Sequence, residues 1–291
     1  MATPERHEGP RVGIAGTGAV ASALAAELTS AGLAVTVWGR DAGAAARLAL
    51  ATGAAHAQEL AELGAVDAAI LAVSDGAAAE VAGALAGACE ICPPLFHTGG
   101  PTSGAESMGG AAPGVELGSI HPLVAVPRAA CDGVARGRFQ SMPFAVEASG
   151  ADTLALAREI AAAVGAVCIE VPPGAKLVYH ALATLVATGV VSLVDRAARA
   201  LLEVSDGEDA EAFRRAYGRL ALSAASNLDE LDGAEALTGA LARGDEALVA
   251  RHRAALEEEP GARVLYDAIT GAAREMLGAA EERGAAGEDS P

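Results

Sequence analysis

Lys176 is the single lysine in a chain that carries nineteen arginines, and His180 follows it four positions later. The segment Gly174-Ala-Lys176-Leu-Val-Tyr-His180 opens a long apolar stretch. On a helix, a spacing of four brings two side chains out of one face. Arginine serves as well as lysine for most surface pairing, but not where a compact ammonium with a movable pKa is needed. The pair therefore fits proton transfer. Lys176 would be a catalytic proton donor that also stabilises a developing oxyanion, and His180 would orient a substrate or tune the lysine. The competing reading is a surface lysine that escaped a drift towards arginine. His121, in Ser119-Ile-His121-Pro122-Leu123, ends a strand-like run before a fixed proline, as an acid/base group or substrate ligand would. His97, in His97-Thr98-Gly99-Gly100, is either functional or simply hydrogen-bonded at a sheet edge. His7, His56 and His252 have no such context and are expected on the surface.

A second constellation lies near the N-terminus. Val12-Gly-Ile-Ala-Gly16-Thr-Gly18-Ala-Val-Ala21 has G-x-G-x-x-A spacing between a strand-like run and a helical one. That arrangement suits a dinucleotide. Gly16 makes the tight turn, Gly18 lets a pyrophosphate approach, Ala21 allows close helix–strand packing, and the phosphates meet the helix N-terminus. The cofactor-binding candidates here are Gly16, Thr17, Gly18, Ala19 and Val20. At the end of the second strand the chain reads Val35-Thr-Val-Trp38-Gly39-Arg40-Asp41, with no acid at Trp38 or Gly39 to hold a ribose 2′-hydroxyl. Arg40 can instead grip a 2′-phosphate, with Arg47 in support, which predicts NADP(H) over NAD(H). Val73, Ser74 and Asp75 at a later strand end, and Gly99 at another, are expected in the same crevice.

The elements that must position these residues alternate. Val12–Ala15, Ala34–Trp38, Asp67–Val73, Leu95–Thr98, Val115–His121, Phe144–Ala148 and Val167–Val171 read as short strands bounded by Gly, Pro or Ser. A helical run from Ala19 to Ala31 is closed by Gly32. After Pro172-Pro173-Gly174 the pattern becomes helical throughout: Ala175–Glu203, Asp209–Asn227, Ala234–Ala242, Asp245–Glu257 and Ala262–Arg283, with Asp245 as a cap and Pro260-Gly261 as a separator. The expected fold class is α/β, a doubly wound parallel Rossmann sheet followed by a smaller all-α domain. Residues 10–172 would form the first domain, 173–284 the second, and 285–291 a disordered tail.

The net charge is −18 without a basic cluster. Nucleic acid and anionic membrane surfaces are poor partners for such a chain, and a small anionic substrate needs a local positive site. The N-terminus lacks the apolar region of a signal peptide. Gly and charge are expected to break the apolar runs well short of the roughly 18 residues of a membrane span. Cys89-Glu-Ile-Cys92 has CxxC spacing, but it precedes Pro93-Pro94 instead of opening a helix, and Cys131 and Cys168 stand alone. Buried thiols in a reducing cytoplasm fit better than a metal or redox centre.

The opening VGIAGTGAVASALAAEL and the strand end VTVWGR resemble the β-hydroxyacid and 6-phosphogluconate dehydrogenase superfamily. Its catalytic helix carries Gly-x-x-x-Lys-x-x-x-Asn, and here Lys176 and His180 stand at the Lys and Asn spacing. SIHPL resembles the His-Pro element of prephenate and arogenate dehydrogenases, which implies a histidine that accepts a substrate hydroxyl proton. FHTGGPTS, GSIHPL, KLVYHA, Asn227 and ALTGALARGD (Ala236 to Asp245) are similar to a bacterial family that joins a Rossmann-like NADP-binding domain to a helical domain of unknown function, number 2520. Ala240 and Thr188 stand where relatives carry proline and asparagine. The resemblance implies a cytoplasmic, homodimeric NADPH-dependent reductase of a small oxo- or imino-acid. The alternative is an inactive NADP(H)-binding sensor or partner-binding module.

Overall fold

The computed structural model describes residues 9–127, 137–205 and 209–288, with side chains up to Glu282 in the last helix. The chain divides into two compact units, Met1–Ala183 and Thr184–Pro291.

In the first unit eight strands form one sheet: β1 (Val12–Ala15), β2 (Val35–Trp38), β3 (Ala55–His56), β4 (Ala68–Leu71), β5 (Leu95–His97), β6 (Leu117–Pro122), β7 (Pro143–Ala148) and β8 (Val167–Glu170). Their spatial order is β3-β2-β1-β4-β5-β6-β7-β8. The first six follow the doubly wound Rossmann order, in which ligands bind where the strand order reverses beside β1. Among the described residues this unit also holds the α-helices α1 (Ala19–Ser30), α2 (Ala42–Thr52), α3 (Asp75–Ala88), α4 (Gly104–Met108) and α5 (Ala151–Ala163). β1 and β4 are apolar and buried at every position, as parallel strands covered on both faces must be. Leu24, Leu28, Phe96, Phe144 and Ile160 belong to one apolar cluster, and Leu63, Leu71, Leu85, Leu95 and Met108 to another.

All seven expected strands are present. The two-residue edge strand β3 was not foreseen, because Ala55-His56 is too short to carry an alternating pattern. The sheet is also not wholly parallel. β7 runs antiparallel to β6, and β8 parallel to β7. An antiparallel neighbour needs no crossover helix, and the described residues of the β6–β7 link contain none. The link is tied down at its far end. Glu27 accepts the Arg138 amide at 2.7 Å, and the Phe139 ring stands edge-on to Phe144 at 5.0 Å in the core.

A long helix, α6 (Lys176–Glu203), follows, and its opening residues Lys176–Ala183 belong to the first unit. The second unit continues with α7 (Ala210–Ser226), α8 (Gly239–Ala242), α9 (Glu246–Ala255) and α10 (Pro260–Glu288). Asp245 caps α9 by accepting the Leu248 amide at 3.0 Å. The helix expected from Ala234 shrinks to the short α8, since Gly239 adopts φ +87°. Pro260 opens α10, where its fixed φ and missing N–H cost nothing. That helix runs on to Glu288, so the segment expected as a tail from 285 begins helical, and 289–291 lie outside the described residues. His7 and Cys131 also lie outside them.

The expectation of no apolar run of membrane length is corrected by α6. With its preceding turn (Pro173–Glu203) it has the length and composition to cross a membrane, at a mean hydropathy of 1.9. Gly189 does not interrupt the helix, and no charged residue falls between Leu177 and Val194.

The Phe139–Phe144 pair supplies a test of the core. Phe144→Ala removes a fully buried ring and is expected to cost about 3–5 kcal/mol in urea denaturation. A loss below about 1 kcal/mol would show that β7 is not packed as described.

Candidate functional site

β1 runs directly into the turn Gly16-Thr17-Gly18 and then into α1. Gly16 has φ +135°, and any Cβ there would collide with the Ala72 carbonyl oxygen. Only glycine fits between the ends of β1 and β4. A Cβ on Gly18 would meet nothing within 4 Å. α1 starts here without a side-chain cap and without an acid in its first turn, so its first amides remain available to an anion. The turn opens on a cleft of about 540 Å³. Gly16, Thr17, Gly18, Ala19, Val20, Arg40, Val73 and Ser74, all candidates from the sequence, line it. Trp38, Asp41, Ala72, Val81 and Thr98 also line it and were not anticipated. Arg40 is exposed and has no hydrogen bond or ion pair among the described residues. One oxygen of Asp41 is committed to the Ala44 amide at 2.9 Å, where it caps α2.

The other constellation is built by strand register. β5 and β6 pair His97 with Ser119, and β6 and β7 pair Ser119 with Glu147. Directly opposed residues share a face, so these three form a polar row across the sheet. His121, two residues along β6, lies on the same face. His97, Ser119 and Glu147 are buried and His121 is half-buried. Lys176 ends on this row. It is 0 % exposed, and its Nζ donates to Ser119 Oγ at 2.5 Å. Burial lowers its pKa below the ordinary 10.5, while the charges of Glu147 and Glu106 pull it back up. Both carboxylates are held elsewhere. Glu147 accepts the Gly104 amide at 2.7 Å, and Glu106 accepts the Ser103 amide at 2.8 Å and its hydroxyl at 3.0 Å.

Three histidines surround the lysine. His97 Nδ1 accepts the Gly99 amide at 3.1 Å, and its Nε2 is buried without a hydrogen-bond partner. Burial, then the charge of Lys176, lowers the His97 pKa to about 4, against an opposing pull from Asp75. His121 is lowered to about 4 by burial and then by His180, Lys176 and His97. Its Nδ1 lies 2.9 Å from Tyr179 Oη. The rings of Tyr179 and His180 stand edge-on to it at 5.7 and 5.6 Å. Burial raises the Tyr179 phenol to about 12. His180 Nδ1 is also buried and unpaired, and it packs where a Cβ on Gly100 would collide with it.

Lys176, His121 and His180 are thus brought together, and His97 joins them. Asp75 and Gly99 do not line the cleft. A Cβ on Gly99 would lie 2.6 Å from Asp75 Oδ1 and 2.9 Å from His97 Nδ1, so both residues sit beside His97. The two halves of the site meet at the end of β5, where Thr98 lines the cleft and His97 belongs to the polar row. Sequence reasoning missed Tyr179 and Glu147. Each left a signal: Tyr179 is three residues after Lys176 on the same helix face, and Glu147 is a charge inside the apolar strand Pro143–Ala148. His56, expected on the surface, is half-buried on β3. Cys89, Cys92 and Cys168 are free and half-buried, not fully buried. In the second unit, Asn227 Nδ2 lies 3.5 Å from the Ala236 carbonyl and Thr238 precedes α8, which are packing and capping positions.

Residues 142–273 match the family model described as Domain of unknown function (DUF2520). A comparison with curated proteins finds no match. Among solved structures, a candidate NADP oxidoreductase from Bacteroides fragilis aligns over 93 % of this chain and 100 % of its own, at 22 % identity and a TM-score of 0.69. A 1-pyrroline-5-carboxylate reductase from Streptococcus pyogenes aligns over 92 % and 99 %, at 15 % identity and 0.66. A Plasmodium falciparum pyrroline carboxylate reductase with NADP bound aligns over 94 % and 100 %, at 13 % identity and 0.64. At such identities the likeness is one of fold. With that fold and a glycine turn at the carboxyl end of β1, the chain has a Rossmann-type α/β fold, and its residues 142–273, from the start of β7 into α10, are similar to the DUF2520 model.

Proposed function

We propose that this protein is an NADPH-dependent oxidoreductase that reduces a small oxo- or imino-acid. The observation that carries the reading is the fully buried side chain of the sole lysine on a polar row with His97 and His121, whose His97 end lies one residue before Thr98 of the glycine-turn cleft. The NADP oxidoreductase and pyrroline carboxylate reductase folds that the chain resembles support it.

The residues present fit the cofactor. Gly16 makes the tight turn, Gly18 leaves room for a pyrophosphate, and the uncapped start of α1 supplies amide donors. Arg40 is free to bind a 2′-phosphate, while Asp41, the nearby acid, already spends one oxygen on a helix cap. When bound, the nicotinamide supplies a hydride, two electrons with one proton, to the carbon of a C=O or C=N group. The displaced π pair collects on the oxygen or nitrogen. Lys176 holds the proton that completes the alcohol or amine and faces the charge that develops there. Its burial excludes water from that transfer, and solvent restores the proton between turnovers. A local cation also provides the positive site that an anionic substrate needs against a net charge of −18.

In this reading the protein works in a reducing cytoplasm as a homodimer. Leu185, Val186, Val190 and Val191 on α6 and Leu220 and Leu222 on α7 are each at least 47 % exposed. Apolar side chains gathered in this way favour a protein partner, and a second copy is the simplest one.

Five outcomes test the reading. Lys176→Ala is expected to lower kcat/KM by about 10²–10⁴-fold while leaving NADPH affinity within about twofold; near-normal turnover defeats the role. In the reductive direction the lysine must be protonated. Rate is therefore full at low pH and lost as pH rises through a Lys176 pKa below 10.5, and that limb disappears in the variant. Arg40→Ala should raise the Kd for NADPH by about 10-fold or more, as loss of a charge-assisted contact implies, with NADH unchanged; equal effects on both remove the NADP assignment. Tight NADPH binding with no oxo- or imino-acid reduced would favour a sensor. Val186→Lys with Leu222→Glu is expected to halve the mass measured by light scattering; an unchanged mass places the dimer contact elsewhere.

A further inference from the structure

We propose that Tyr179 is a positioning residue that holds His121 as the tautomer with hydrogen on Nε2, so that His121 binds substrate as a hydrogen-bond donor and the site selects a 2-oxo acid over a cyclic imino acid. The proposal rests on the reductase reading above and deepens it.

The geometry begins with one contact, His121 Nδ1 to Tyr179 Oη at 2.9 Å. The phenol, pushed up to about 12, keeps its hydrogen throughout the physiological range. The imidazole, pushed down to about 4, is neutral there. The contact allows either group to donate; in the proposed arrangement the tyrosine donates, Nδ1 accepts and the imidazole hydrogen sits on Nε2. His97 is fixed in the same sense by a different partner. Its Nδ1 accepts the Gly99 amide, leaving a hydrogen on the buried, unpaired Nε2. The Ser103 and Thr102 backbones act on it as acceptors that favour its charged form, without making a bond of full hydrogen-bond geometry to that nitrogen. Lys176 spends one ammonium hydrogen on Ser119 and keeps two.

The hydrogens that Lys176, His97 and His121 hold in this arrangement call for acceptor atoms from a ligand, beyond the one oxygen that Glu147 and Glu106 each leave uncommitted among the described residues. Glu147 and Glu106 are held by the Gly104 and Ser103 amides, and Ser119 is occupied by Lys176. A buried donor without an acceptor is costly, so the matching ligand is rich in acceptor oxygens. A 2-oxo acid presents a carbonyl and a carboxylate. A protonated cyclic imine presents an N–H⁺ that would face donors and a cation.

The test uses the full-length protein and equilibrium binding, with and without saturating NADPH. Oxamate and its N-alkyl derivatives mimic a 2-oxo acid, whereas proline and pipecolate place a ring NH₂⁺ where the carbonyl would be. The oxamates should bind at least about 10-fold more tightly than the cyclic acids. Tyr179→Phe should weaken oxamate about 3–10-fold, the worth of one ordered hydrogen bond, and raise KM for 2-oxo acids with kcat within about twofold. His121→Gln, which retains an N–H donor, should stay within about threefold of the parent. His121→Glu, an acceptor at neutral pH, should lose at least about 30-fold. Between pH 5.5 and 8, where the groups facing His121 (Tyr179, His180, His97 and Lys176) include no imidazolium at positions 97 and 121, oxamate affinity should show no break from His121.

Tighter binding of the cyclic acids, equal behaviour of Gln and Glu at position 121, a break near the ordinary histidine pKa of 6.5 that vanishes in His121→Gln, or binding of neither ligand class overturns the inference. NADPH binding measured on the same samples separates the two levels. Failure to bind NADPH defeats the reductase reading, whereas NADPH binding with reduction of cyclic imines alone defeats only this one.

Discussion

The burial of one ammonium group governs the arrangement of the rest. Removing an unpaired cation from water costs several kcal/mol even after relaxation, so Lys176 can be wholly enclosed only where polar groups receive it. Ser119 meets it directly, and the fields of Glu147 and Glu106 lessen the penalty without forming an ion pair. The β6–β7 register must hold for Ser119 and Glu147 to lie side by side, and the turn Pro173–Ala175 must deliver α6 to that point. A one-residue slip of β6 would turn Ser119 and His121 to the opposite face. The sheet is therefore committed to a single register by a charge as well as by its apolar faces.

The sheet also divides labour along its carboxyl edge. Its β1–β4 half contributes backbone: glycines, amide donors and an open cleft. Its β5–β7 portion contributes side chains in a row. β5 is common to both, which is why adjacent residues, His97 and Thr98, serve different halves. Gly99 and Gly100, just beyond, act by what they lack. Side chains there would displace Asp75 and His97 in one case and His180 in the other.

Features encoded within a few neighbouring residues were legible in the sequence. Gly16 and Gly18 sit between a strand and a helix start, Asp245 stands before α9, and Lys176 and His180 share a helix face; all of these follow from short-range spacing. The reversed direction of β7 was not legible, because strand polarity is set by a partner some 25 residues away, and β7 reads the same either way. Tyr179 was overshadowed by the more reactive pair that flanks it, and its role depends on His121 in another element. The helix itself was legible as Ala175–Glu203, but the length of its apolar run was underestimated because Gly189 was counted as a break in it.

A last consequence concerns chemical reactivity. A chain with one lysine has one side-chain amine, and here that amine is enclosed and hydrogen-bonded to Ser119. Reagents that acylate or reductively alkylate amines normally decorate a protein at dozens of surface positions and report little about any one of them. On this protein every side-chain adduct is an adduct at Lys176. The rate at which it appears measures how often the site opens, and the mass of a single tryptic fragment reads out its occupancy. Arginine everywhere else has left the site with a built-in tracer.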